Sequence, residues 1–174
     1  MRSLVLLRGV NVGGHHKVSM TDLSTWLEAA GFTGVVTYIQ SGNIVLTHTD
    51  ELDVAPRVRD VIAEHTGWSI AVIVRSASQM TDVISRCPYP DAQPTQLHVS
   101  FLDAAADDAL IAAARSVNWS PEQHVVNGRE VYLYVPDGMG RSVMVPKLKL
   151  LKGATTRNWN TVLALNELVN NSSN

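Results

Sequence analysis

The sequence has few of the features that assign a small protein to a class. Its one cysteine, Cys87, excludes a disulfide framework and a cysteine-based zinc site. The six histidines show neither HxH nor HExxH spacing, so we expect no metal and no cofactor. No apolar run approaches the ~20 residues that cross a bilayer, and the run at residues 4–7 is too short for a signal peptide. These absences predict a cytoplasmic protein with no membrane partner.

Charge is also scarce, and it is unevenly placed. The 174 residues include 14 Lys and Arg against 16 Asp and Glu, which gives a net charge of -2, while 45% of the chain is apolar. This balance is typical of a folded domain and excludes a disordered or polybasic chain. Residues 1–21 carry three cations and no acid, and residues 138–174 carry five cations and one acid. The two positive segments favour a local anion site over binding of a bulk polyanion.

Hydrophobic periodicity predicts a ferredoxin-like first half, residues 1–76, with the order β-α-β-β-α-β. The predicted strands are residues 4–7, 35–40, 44–47 and 70–74. An apolar stripe at i, i+3, i+4 and i+7 predicts the first helix, and its members are Leu23, Trp26, Leu27 and Ala30. A second helix is predicted from Val54 to Ile62.

The second half, residues 77–174, partly repeats this order. Asn127-Gly128 predicts a hairpin with arms at 124–126 and 130–135. The other predicted elements are helices near 80–84 and 110–114, a strand at 97–102, and helices at 146–151 and 156–169. No final strand is evident in the pattern. We therefore predict an α+β fold of two ferredoxin-like halves packed into one compact unit.

The loop from Arg8 to Gly14 is the first candidate site. It leaves a predicted strand, contains three glycines and precedes a helix. Glycines allow backbone N–H groups to approach a ligand closely, and Arg8 suits phosphate or carboxylate. The alternative is a tight turn that needs positive φ.

Two further polar segments are candidates. Ser41-Gly42-Asn43 is explained as a polar hairpin tip, and Ser41 has no evident base for a nucleophilic role. In the C-terminal positive segment, Arg157 is predicted near the start of a helix, where a cation opposes the helix dipole unless a bound anion or a carboxylate partner lies nearby. Trp159 is expected in the core rather than in a base-stacking platform.

Three sequence motifs occur in order along the chain. They are LLRGVNVGG at 6–14, TYIQSGN at 37–43 and TTRNWNT at 155–161. With them the chain resembles the bacterial domain-of-unknown-function family 1697. The resemblance implies a cytosolic bacterial protein with an α+β, ferredoxin-like architecture, and it implies no reaction.

Our leading hypothesis is a pocket for a small phosphorylated or carboxylated ligand. The predicted binding residues are Arg8, Asn11, Gly13, Gly14, Ser41, Asn43, Arg141, Arg157 and Asn158. A Mg²⁺-dependent phosphotransferase is disfavoured, because no Asp or Glu lies in these motifs. Two alternatives stay open: an RNA-binding module, for which the sheet aromatics are only Tyr38, Tyr132 and Tyr134, and a non-catalytic interaction protein. The sequence predicts neither a reaction nor an oligomeric state.

Overall fold

The computed structural model describes residues 1–49 and 54–171. Its chain divides into two compact units, one formed by Met1–Asp82 with Leu165–Asn174 and the other by Val83–Ala164. The α+β class is confirmed, with two four-stranded antiparallel sheets. Within the two described ranges, no helix has the length and apolar character needed to span a membrane.

The first unit has the predicted β-α-β-β-α-β order. Its elements are β1 (Arg2–Leu7), α1 (Met20–Ala29), β2 (Thr33–Tyr38), β3 (Asn43–Thr47), α2 (Val54–Thr66) and β4 (Val72–Ser76). The strand order across the sheet is β2-β3-β1-β4, which is the ferredoxin-like arrangement.

Local sequence explains the two helices of this unit. Ser19 caps α1, since its Oγ accepts a hydrogen bond from the backbone N of Asp22 at 3.3 Å. Leu23 and Leu27 are buried on the predicted face of α1. On α2 the buried residues are Val54, Val58, Val61 and Ile62. These apolar faces pack with alternate residues of the sheet to form the core of the unit.

The second unit repeats the strand order with a different covering. After α3 (Ala77–Ser85), which begins in the first unit, come β5 (Leu97–Phe101), α4 (Asp108–Arg115), β6 (Gln123–Asn127), β7 (Glu130–Tyr134) and β8 (Thr155–Asn158). The order across the sheet is β6-β7-β5-β8. Between β7 and β8 lie three short 3-10 turns in residues 139–151, which we call the 3-10 crossover.

The structure corrects the predicted end of the chain. Residues 155–158 form β8 rather than the start of a helix, because Thr155–Asn158 pair antiparallel with β5. The last helix, α5 (Trp159–Asn170), begins later and is capped by Asn158, whose Oδ1 accepts from the Thr161 N–H at 2.9 Å. The predicted helix at 146–151 is also wrong, since two 3-10 turns occupy this segment.

A buried carboxylate holds the 3-10 crossover in place. Glu122 accepts hydrogen bonds from the Ser142 hydroxyl, from the Val143 N–H at 2.9 Å and from the Met144 N–H at 3.4 Å. Met144 and Leu148 are buried against the sheet as part of the core of this unit. The 3-10 crossover therefore contributes buried side chains to the core of the second unit, as α2 does in the first unit.

Candidate functional site

The first motif forms a loop that its own side chains close. Asn11 Oδ1 accepts from the Val18 N–H at 2.9 Å, and Asn11 Nδ2 donates to the Val18 carbonyl at 3.0 Å. The backbone N–H of Asn11 donates to the carbonyl of His16 at 3.2 Å. Residues 11–18 are thus folded into a closed loop directly before the cap of α1.

The same loop joins the second motif. Asn11 Nδ2 also donates to the Gln40 carbonyl at 2.8 Å, and the Leu7 N–H donates to the Gly42 carbonyl at 2.8 Å. Gly42 has φ of 75°, and a Cβ there would lie 2.8 Å from Leu7 Cβ, so only glycine fits. The first two sequence motifs are therefore in contact within the first unit, through residues Asn11 and Gln40 that lie 29 positions apart in the chain.

The predicted hairpin residues have structural partners. Asn43 is fully buried, and its Nδ2 donates to the Tyr38 carbonyl at 3.0 Å and to Ser41 Oγ at 2.9 Å. Both side chains therefore hold the shape of the β2–β3 turn, as the polar-tip interpretation expects.

A cavity of about 430 Å³ opens where the two motifs meet, and we call it the loop cavity. It is lined by Asn11, Gly14, Lys17, Val18, Ser19 and Gln40. Among these, Asn11 and Gly14 were predicted site residues, whereas Lys17, Ser19 and Gln40 were not. The signal for Lys17 was present in the sequence, because it lies in an acid-free segment of 21 residues.

Residues 8–17 carry hydrogen-bond donors that have no acceptor in the described part of the chain. Of the residues that carry them, Gly14 and Lys17 line the loop cavity, whereas Arg8 and Gly13 do not. The exposed side chains of Arg8 and Lys17 have no hydrogen-bond or ion-pair partner among residues 1–49 and 54–171. In the same ranges, the backbone N–H groups of Gly13, Gly14 and Lys17 have no protein acceptor. Such a combination of cation and amide donors is the chemistry that binds anions.

Backbone strain is concentrated around the same cavity. Across the described chain, the non-glycine residues with positive φ are Asn11 at 55°, His16 at 47° and Ile39 at 51°. Asn11 lines the loop cavity, and the other two directly precede the lining residues Lys17 and Gln40. Ile39 is the least expected, because a β-branched residue rarely adopts positive φ. Strained residues of this kind cluster at binding sites and cost about 1–3 kcal/mol each.

The third motif lies in the second unit. Arg157 belongs to β8 and directly precedes Asn158, the N-cap residue of α5. Its side chain is only 9% exposed, and Nη1 donates to Thr155 Oγ1 at 2.6 Å and to the Thr156 carbonyl at 3.0 Å. Burial lowers the pKa of Arg157 to about 10, which leaves it charged at neutral pH. Arg141, by contrast, ends a 3-10 turn with an exposed side chain.

One of the two candidate aromatics on the sheet of the second unit is unavailable for base stacking. Tyr132 is 1% exposed, and its hydroxyl donates to the Val83 carbonyl at 2.7 Å. A ring buried in this way offers no face to a base.

Histidines and acids give no sign of a metal centre in the part of the chain that the structure describes, where no group of three His, Cys, Asp or Glu side chains comes together. His65 stacks on Trp26 with ring centroids 4.4 Å apart, and His16 lies against Trp68 at 4.9 Å. Both histidines thus have packing partners in the first unit.

Comparison with known proteins gives a family and a fold. The family model described as "Protein of unknown function (DUF1697)" matches residues 1–132. That range includes the first two motifs and ends before the third, whose membership of the family pattern stays a prediction. A conserved bacterial protein from Streptococcus pneumoniae is similar in structure, with a TM-score of 0.80 and 21% identity over 97% of this chain and 98% of that chain. At that identity the likeness shows the fold alone. No curated protein matches the sequence.

Proposed function

Since the chain belongs to the DUF1697 family of proteins of unknown function, we propose for it the binding of a small phosphorylated or carboxylated ligand at the loop cavity. The observation that carries the proposal is the lining of this cavity by Lys17 and Gly14, whose backbone N–H groups have no acceptor among residues 1–49 and 54–171. The proposal is one of binding and includes no reaction.

The electrostatics of the loop support an anion rather than a cation as the ligand. No acidic residue lines the loop cavity, and residues 1–21 contain none. Ser19, which also lines the cavity, caps the N-terminus of α1, where the helix dipole is positive. Lys17 supplies a full charge beside this partial one. A phosphate or carboxylate would accept from both the ammonium and the amide groups.

The predicted residues take different roles in this proposal. Lys17 and the amides of Gly13 and Gly14 contact the ligand, and Arg8 adds a second cation at the start of the loop. Asn11 is a positioning residue, because its side-chain amide is already bonded to Val18 and Gln40. The roles predicted for Arg141, Arg157 and Asn158 in the other unit stay predictions and carry no part of the proposal.

The proposal is tested by titrating the protein with inorganic phosphate and with acetate in an isothermal calorimeter. We expect saturable binding of phosphate, weakened about tenfold in Lys17→Ala through loss of a charge-assisted hydrogen bond. Arg59→Ala is the matched control, since Arg59 is an exposed cation of α2 that does not line the cavity. Equal affinities in the wild-type protein and Lys17→Ala, or equal losses in both variants, would contradict the proposal.

The proposal also includes the cellular compartment of the protein. A single cysteine in 174 residues supports a reducing environment. We therefore place the protein and its ligand in the cytoplasm, as the sequence predicts.

A further inference from the structure

A second cavity lies entirely within the second unit, between α4 and the 3-10 crossover. Its volume is about 180 Å³, and we call it the α4 groove. It is lined by Leu110, Ala113, Ala114, Val117, Trp119, Lys147, Leu148 and Lys149. None of these residues belongs to the three sequence motifs, and none is used by the proposed function.

The floor of the groove is an apolar face of α4 that the core leaves partly uncovered. Leu110, Ala113 and Ala114 follow the i, i+3, i+4 spacing of one face of α4, and Val117 lies two residues beyond the end of the helix. Leu110 is 36% exposed and Val117 is 46% exposed, whereas Ala114, on the same helix face as Leu110, is buried. Such spacing is normally used to bury a helix against a neighbour, and here part of it remains accessible.

The end of the groove is rigid. Trp119 Nε1 donates to the Ala114 carbonyl at 2.9 Å, which fixes the indole against the last turn of α4. Leu148, the lining residue between the two lysines, is buried in the core of the unit. A preformed apolar surface loses little conformational entropy when a ligand binds.

The charged residues that line the α4 groove are both positive. Lys147 and Lys149 flank the buried Leu148, and both are exposed. Neither ammonium has a partner among residues 1–49 and 54–171, and no acid lines the groove. An apolar floor with two cations beside it is complementary to a molecule with an apolar body and one anionic end.

We infer that the α4 groove binds a small amphipathic carboxylate, with its apolar body against Leu110, Val117 and Trp119 and its carboxylate at Lys147 and Lys149. The size agrees with this class, because an apolar protein cavity of about 150 Å³ accepts a benzene ring. Free phosphate is excluded as the preferred ligand, since it has no apolar part with which to cover the α4 face. This inference is independent of the proposed function, because the two sites share no residue.

Three small probes separate the apolar and the charged contribution. The full chain is titrated with benzoate, with benzyl alcohol and with acetate, and amide shifts are followed by ¹H–¹⁵N NMR. We expect benzoate to shift Ala113, Leu148 and Lys149 saturably, and to bind about tenfold more tightly than either of the other two. Benzyl alcohol binding as tightly as benzoate would overturn the role of the lysines. Acetate binding as tightly as benzoate would overturn the role of the apolar floor.

Variants then locate the site. The double variant Lys147→Ala/Lys149→Ala should weaken benzoate about tenfold, whereas Lys152→Ala, an exposed lysine outside the groove, should not weaken it. Ala113→Phe fills the groove without changing charge and should abolish the benzoate shifts. Ala112→Phe places the same ring on an exposed position of α4 outside the lining and should preserve them. Benzoate binding unchanged in Ala113→Phe, or lost equally in Ala112→Phe, overturns the assignment.

Discussion

The two units share one strand order and differ in what covers the sheet between the third and fourth strands. In the first unit this connection is α2, a helix of 13 residues that packs against α1. In the second unit it is the 3-10 crossover, whose last turn packs against α4. Gly138 and Gly153, with φ of 88° and 86°, lie on either side of the crossover, and Pro146 lies within its second 3-10 turn. The same strand order is therefore compatible with two different connections between the third and fourth strands. In the second unit the connection is not a long helix like α2, and the α4 groove lies between it and α4.

The first way to break this comparison is to remove one core side chain from each covering. Leu148→Ala in the 3-10 crossover and Ile62→Ala in α2 both delete a buried aliphatic group. If the crossover covers its sheet as the helix does, each variant should lose about 2–5 kcal/mol in the free energy of unfolding. Urea denaturation followed by circular dichroism measures both. A loss below about 1 kcal/mol for Leu148→Ala alone would show that the crossover is not part of the core.

The second prediction concerns the carboxylate that replaces helical hydrogen bonding in the crossover. Glu122→Gln puts an amide NH₂ among the three donors of residues 142–144 that Glu122 accepts. We expect a loss of about 2 kcal/mol in unfolding free energy. Glu167→Gln, at an exposed position of α5, is the control and should change stability by less than about 0.5 kcal/mol. Similar small effects in both variants would remove Glu122 as the anchor.

The third prediction concerns strain, which the first unit has at the loop cavity. Ile39 has φ of 51° and is 53% exposed. The variant Ile39→Gly should be more stable than Ile39→Ala by about 1 kcal/mol in the free energy of unfolding, because glycine tolerates positive φ. At Val36, an exposed position of β2, the order should reverse and alanine should be more stable by about 0.5–1 kcal/mol. Thermal denaturation of the four variants checks the sign. The same order at both positions would contradict strain at Ile39.

The smallest expected effect is a pH dependence specific to the second unit. Burial lowers the pKa of His98 and of His124, and the charge of Arg115 lowers the pKa of His124 further. The unfolded chain, with histidine pKa near 6.5, therefore binds protons more readily than the folded one. The stability that these neutral rings contribute is present above about pH 6.5 and is lost as the pH falls through the folded pKa values.

Melting temperatures between pH 7.5 and pH 5 measure this effect. The double variant His98→Gln/His124→Gln should show a weaker fall than the wild-type protein, while His15→Asn, on an exposed loop of the first unit, should not. An unchanged fall in the double variant would assign the pH dependence to other groups.

The secondary-structure elements that local sequence patterns determine were predicted correctly. Apolar periodicity located both helices of the first unit, and Asn127-Gly128 located the β6–β7 hairpin. It missed β8, because Thr155–Asn158 is short and polar and is extended only through pairing with β5. The same limit applies to long-range contacts at the sites. The glycine-rich loop was visible in the sequence, whereas the bond from Asn11 to the Gln40 carbonyl depends on two elements meeting in space.

The α4 groove could not be predicted for a related reason. The apolar spacing on α4 indicates a buried face, and only the structure shows that a 3-10 crossover stands where a helix would have covered it. Lys147 and Lys149 lie in the positive segment of residues 138–174 that the sequence indicates, but the sequence does not show that they stand beside an apolar face of α4.

Our central proposal is that the loop cavity of the first unit binds an anion through amide groups that have no acceptor in the described part of the chain. A ¹H–¹⁵N NMR titration with inorganic phosphate at constant ionic strength tests it directly. We expect saturable shifts of the backbone N–H signals of Gly13, Gly14 and Lys17, which in Lys17→Ala need about tenfold more phosphate to saturate. If these three signals do not move, or saturate at the same phosphate concentration in Lys17→Ala, the loop cavity is not the anion site.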